Sequence, residues 1–269
     1  MLASQAPSVP RDATPEIAAD KPPPQPWKFW GTMLWSVAMA ATFIVVATMW
    51  LLALATWIYP HPQGTADSFG ALLRSHQGPA LAGFAVAAAC TFGVLTLAVR
   101  LSGVGMRAYL GLVAPRPRDL GAGLAGLLAI YVAFWLASYL AGHPPLRYVA
   151  DLYREARADG ALLILLFGVV VAAPCAEELL IRGFLYGGWA ASRLGPTGAI
   201  ALTSLVWTFL HTQYDWLILT ELFCIGLLLG WIRRRSGSTI ATMMLHAVQN
   251  AWAIAYFAAL DAMGLIPGS

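Results

Sequence analysis

Charge is scarce in this sequence: Asp, Glu, Lys and Arg make up 11% of its 269 residues, while 59% are hydrophobic. A soluble domain carries about 25% charged residues, so the composition argues against a core folded in water. Only Lys21 and Lys28 are lysines among 16 basic residues, and these are scattered through short stretches between apolar runs, which excludes a nucleic-acid footprint. Cysteine is scarce too. Cys90, Cys175 and Cys224 fall in three different apolar runs without CxxC spacing. They are expected to be small buried hydrophobes, with neither a disulfide framework nor a thiolate metal site. A Gly-x-Ser-x-Gly elbow and a His-Glu-x-x-His helix are both missing, and Asp215 and Asp261 stand at the ends of apolar runs rather than as an acidic dyad. The inverted repeats that build many transporters are missing as well.

What is present is a series of apolar runs, several longer than the ~18–20 residues that cross a bilayer as a helix. Seven spans are expected, at Phe29–Ile58, 78–99, 120–142, 161–194, 196–214, 216–232 and 239–260. A further break in the long first or fourth run would make eight. The fold class expected is therefore an all-α, polytopic membrane protein with about seven transmembrane helices, or eight by that count. Trp27, Trp30 and Trp57 stand where interfacial aromatics belong. Residues 1–27 carry Pro7, Pro10, Pro15, Pro22, Pro23, Pro24 and Pro26 and read as a disordered tail. The tail lacks the compact basic region of a cleavable signal peptide, so the first span is expected to serve as the targeting signal. Residues 28–269 then form the membrane domain, with a catalytic core at about 160–260.

Loop charge sets orientation. With the N-terminus inside, eleven Lys and Arg lie on that side and four on the other, with Arg182 left out because it falls within a helix. The positive-inside rule then favours a cytoplasmic N-terminus, in a bacterial plasma membrane. Residues 146–159 read as an amphipathic surface helix with Arg154 and Glu155 on a solvated face. Glu221 is expected to be a carboxylate snorkelling at an interface, with the cavity mouth as its other reading.

Six polar residues interrupt the greasy segments: Glu177, Glu178, Arg182, His211, His246 and Asn250. An ionisable group at the centre of a membrane helix costs roughly 2.5–3.5 kcal/mol on insertion scales, so such residues usually build a buried polar site. Neighbouring helical residues point about 100° apart, so Glu177 and Glu178 cannot face one cavity. Glu178 and Arg182 are spaced for an ion pair, which leaves Glu177 to project alone. Pro174, just upstream, removes one helical hydrogen bond beside the site. His246 and Asn250 share a helical face. Depth supports a common site: Glu177 lies roughly 27 Å before the turn at Gly195 and His211 roughly 24 Å after it. His246 and Asn250 lie about 15 and 21 Å beyond Ser236, on the same side.

These residues resemble the motifs of the CPBP intramembrane endopeptidases, a family that includes type II CAAX prenyl endopeptidases and bacteriocin-processing or immunity (Abi-like) proteins. The family pattern is Glu-Glu-x-x-x-Arg, Phe-x-x-x-His and His-x-x-x-Asn. Glu177-Glu178-Leu179-Leu180-Ile181-Arg182 and His246-Ala247-Val248-Gln249-Asn250 match the first and third. The second reads Trp207-Thr208-Phe209-Leu210-His211, with Trp where Phe is the rule. The resemblance covers roughly 162–256 and implies catalysis by Glu177 and His211 on a water, with His246 and Asn250 stabilising the oxyanion. Hydrophobic, membrane-anchored or lipidated peptides are the implied substrates, with the lipid bilayer as surroundings and no nucleic acid as partner. No cofactor is preferred. The alternative is zinc, for which Glu177, His211 and His246 would form a His₂Glu ligand set with an open fourth position. The rival to an enzyme is a non-catalytic membrane scaffold or immunity protein on the same fold.

Overall fold

The computed structural model describes residues 24–58, 77–142 and 147–264, and these contain helices and no strand. The expected proline-rich tail lies outside the described residues as far as position 23, and Pro24 to Lys28 lead without regular structure into α1 (Phe29–Ile58). Next come α2 (Gln77–Leu101), the single turn α3 (Met106–Tyr109), α4 (Pro117–Ala141) and the amphipathic α5 (Arg147–Ala158). The chain continues through α6 (Leu162–Ala190), α7 (Gly195–Phe209), α8 (Trp216–Ser236) and α9 (Thr239–Ala262). The chain is an integral, all-α membrane protein. Each of the seven expected spans is a helix. Among the described residues five (α1, α2, α4, α6 and α8) are long and apolar enough to cross a membrane by themselves. With 15 residues α7 is about 22 Å long, short of a ~30 Å hydrocarbon core. The other exception, α9, has the length but carries His246, Gln249 and Asn250.

Outward faces are apolar, as a helix surrounded by acyl chains requires. Trp30, Leu34, Ile44 and Met49 of α1 are exposed. Cys90 and Cys175 are also exposed and Cys224 partly so, which corrects the expectation that they are buried. A small apolar side chain has no reason to be sequestered when its surroundings are hydrocarbon.

The membrane core is built by α6 to α9. Leu185, Trp189, Trp207, Ile225, Leu229 and Leu245 form its centre. Small residues let the helices approach, as is general for membrane bundles. A Cβ on Gly226 would meet the Ser204 side chain at 2.9 Å, and one on Gly230 would meet Ile200 at 2.8 Å. α4 closes on the same core through Gly123, beside Leu245, and Gly126, beside Leu228. At one end Thr239 Oγ1 donates to the Leu110 carbonyl at 2.5 Å and Ser238 Oγ to that of Val113 at 2.6 Å. Asp119, fully buried, accepts from Arg116 at 2.5 Å and Arg235 at 2.9 Å. The loops that follow α2 and α8 therefore lie on one side, as the charge count arranged them.

α6 is irregular where the polar residues occur. Phe167–Ala172 and Leu179–Leu185 are π-helical, and the α-helical piece Ala173–Glu178 between them opens with Pro174. Proline supplies no N–H and its ring crowds the preceding turn; widening that turn to π geometry accommodates both. The helix ends at Ala190, short of the Leu194 expected.

Candidate active site

Two adjacent glutamates on α6 point in different directions. Glu178 is fully buried, and its Oε1 accepts from Arg182 Nη1 at 2.5 Å and from His246 Nδ1 at 3.0 Å. The ion pair expected from the i, i+4 spacing is there, and it extends to a third residue that the spacing did not announce. Arg182 is itself held, donating from Nη2 to the Gly226 carbonyl at 3.4 Å, with its guanidinium 4.8 Å from the centre of the Trp207 ring. Its own carbonyl accepts from Arg233 Nε at 3.0 Å. A buried carboxylate is tolerable only when paired and hydrogen-bonded; these partners meet that need at Oε1, while Glu178 Oε2 and Arg182 Nε are buried without a hydrogen-bond partner.

Glu177 is half-buried and projects the other way. Its Oε2 accepts from the indole Nε1 of Trp207 at 2.6 Å. His211 lies beyond the end of α7, not inside a span: the helix stops at Phe209, and the amides of Leu210 and His211 turn back onto the carbonyls of Trp207 and Thr208. That final tightening corrects the expectation of a helix running to Tyr214. His211 Nδ1 lies 2.9 Å from the Trp207 carbonyl oxygen, an acceptor, so Nδ1 carries the proton and Nε2 is left for the cavity. The His211 and His246 rings each stand 5.2 Å from the Trp207 ring, edge-on at 66° and 81°. Asn250 donates from Nδ2 to the Val169 carbonyl at 2.8 Å, in the first π-helical turn of α6.

Glu177, His211, His246 and Asn250 all line one cavity of about 750 Å³. Trp207 is the side chain that Glu177 and both imidazoles share. The rest of the wall is largely apolar, with Leu127, Tyr131 and Trp135 of α4 opposite the polar residues. Sequence reasoning missed this wall, and also Gln249, whose carbonyl accepts from the Tyr131 hydroxyl at 3.3 Å. Their signal was weak, because an aromatic residue in an apolar run reads as packing. Glu221 also lines the cavity, so the snorkelling position expected for it is corrected. Asp215 caps α8, accepting from the amides of Leu217 and Ile218.

Among the described residues no three His, Cys, Asp or Glu side chains are set to hold a metal ion.

Residues 159–252 match the family model described as Type II CAAX prenyl endopeptidase Rce1-like. That segment is similar to the Rce1-like family. The Rce1-like segment holds all six polar residues singled out above, whereas the cavity wall supplied by α4 precedes it. The chain is also similar to an Escherichia coli protein named "Uncharacterized 24.3 kDa protein", 31% identical over 126 residues. That match covers 46% of this chain and spans 58% of the relative's length. No solved structure matches the chain.

Proposed function

We propose that this protein is an intramembrane endopeptidase that hydrolyses peptide bonds of membrane-associated or lipidated peptides through a glutamate-activated water. The observation that carries the reading is the meeting of Glu177, His211 and His246 around one indole, at the polar end of a largely apolar cavity. Glu177 takes a proton from water as the water oxygen attacks the scissile carbonyl carbon. His211, its Nδ1–H held by the Trp207 carbonyl, accepts the second proton of that water at Nε2 and passes it to the leaving nitrogen as the C–N bond breaks, and Glu177 then returns its proton to the amine product. Asn250 has a second amide N–H beside the one given to Val169, and this donor faces the developing oxyanion. With Nδ1–H committed to Glu178, His246 can donate from Nε2 only when its ring carries both protons. Asn250 is thus the oxyanion donor that does not depend on protonation. The apolar wall excludes bulk water and suits an extended, greasy or lipid-bearing substrate. A cytoplasmic N-terminus, from the loop charges, completes the topology.

The test is turnover of an internally quenched, membrane-anchored peptide by the full chain in liposomes. Glu177→Gln and His211→Ala are expected to abolish cleavage while insertion and thermal unfolding stay near those of the parent protein. Undiminished cleavage by Glu177→Gln would remove the glutamate mechanism. If neither variant altered the protein's biological output, a non-catalytic scaffold would account for the fold better.

A further inference from the structure

We infer that Trp207 is a positioning residue for this hydrolysis, its indole N–H anchoring one oxygen of Glu177 while its carbonyl oxygen orients His211. The inference rests on the proposed role of Glu177. It goes beyond that role in saying which carboxylate oxygen works: Oε2 is engaged at 2.6 Å by the indole, so Oε1 is the oxygen that receives the proton from water. One residue thereby sets both members of the base pair, through its side chain for Glu177 and its main chain for His211.

Three observations support it. The indole has no exposed surface, and it is gripped by the Arg182 guanidinium over its ring and by the edges of both imidazoles. Its N–H direction is therefore fixed, and a donor fixed in this way fixes what it binds. A buried indole N–H needs an acceptor, but a helical bundle offers backbone carbonyls for that purpose, as Trp27 shows by donating to the Ala98 carbonyl at 2.8 Å. Trp207 uses a carboxylate instead, which makes the bond charge-assisted and stronger. Finally, this position is where the chain departs from the Phe-x-x-x-His pattern. A phenyl ring fills similar space and has nothing to donate, so the departure adds one hydrogen bond, directed at the proposed base.

Two measurements on the full chain test this. The first needs no substrate. In ¹⁵N-labelled protein in micelles, the Trp207 indole proton, assigned by its loss in Trp207→Phe, is expected downfield of the other indole protons. It is expected to move upfield in Glu177→Leu; an unmoved resonance would overturn the inference. The second is kinetic, with the quenched membrane-anchored peptide as probe. Losing a charge-assisted hydrogen bond that orients the base lowers kcat about tenfold to a hundredfold in Trp207→Phe, with KM unchanged. 3-Benzothienylalanine at position 207 keeps the shape without the N–H and is expected to show the same loss. A benzothienylalanine enzyme with parental kcat, or a loss confined to KM, would reduce Trp207 to packing. Activity surviving in Glu177→Gln would instead mean that the glutamate mechanism had failed, whatever the indole resonance showed.

Discussion

At Glu178 one oxygen accepts from two donors, the Arg182 guanidinium and the His246 Nδ1–H, in surroundings without solvent. Removing one partner of such a buried pair strands the other, at a cost of about 3–5 kcal/mol. Arg182→Met is therefore expected to lower the thermal midpoint sharply in detergent, and Arg182→Met with Glu178→Gln to recover part of the loss. A single variant as stable as the parent would mean that Glu178 does not need its partner. Asn250→Ala separates the oxyanion role from packing: loss of one preorganised donor lowers kcat about a hundredfold, whereas lost packing against Val169 would appear in stability and KM. Polar side chains in apolar runs are conspicuous, which is why Glu177, Glu178, Arg182, His211, His246 and Asn250 could be singled out from the sequence. Trp207 could not. An aromatic residue in a greasy helix looks like core, and its partner is set by a ring direction that only the packed helices define. The same holds for Glu221, whose placement depends on which face of α8 turns toward α4.

Helices were the most legible level, because unbroken apolar runs state their own length; α1 begins and ends where its run does. What the runs did not state was how backbone groups are satisfied inside them. The π-helical turns that flank Ala173–Glu178 arise from Pro174 and from the demands of the site, and hydropathy contains no trace of either. The end of α7 was overestimated for a related reason: Leu210 to Tyr214 contains no Gly or Pro to mark a stop, yet the turn at His211 ends the helix. Close approach of α7 and α8 depends on glycine at two points one turn apart. Gly230→Leu pushes a side chain into Ile200, where even the Cβ would stand at 2.8 Å. Overpacking of this kind costs about 1–3 kcal/mol. The expected result is a lower thermal midpoint together with reduced turnover, since α7 carries Trp207. Gly237→Ala tests a different constraint just past the C-terminal end of α8, where φ is +71° and nothing crowds the Cβ; backbone strain alone should make it milder than Gly230→Leu.

On the scale of the whole molecule, the cavity is assembled from two parts of the chain with different visibility. The polar half comes from the Rce1-like segment and was legible as motifs. The apolar wall is shared by α6, α8 and α9 and completed by α4, whose hydrophobic residues look the same whether they face lipid or a substrate. α5 links the two parts. The amphipathic helix was expected at this place and is there, but Arg154 does not sit on a solvated face: its Nε donates to Asp261 Oδ1 at 2.8 Å, at the end of α9, with Arg157 3.5 Å from the other oxygen. Tyr153, next to Arg154, lines the cavity that contains the proposed site. A helix tethered beside the cavity in this way should govern how substrate settles more than how its bond breaks. The tether is partly exposed, and such pairs contribute about 0–1 kcal/mol. Asp261→Asn is accordingly expected to raise KM by no more than about fivefold while kcat holds, and the difference from the parent should shrink at high salt as screening weakens the pair. A fall in kcat at constant KM would instead couple α5 to the chemistry, and the tether would then have to act through α9 on His246 and Asn250.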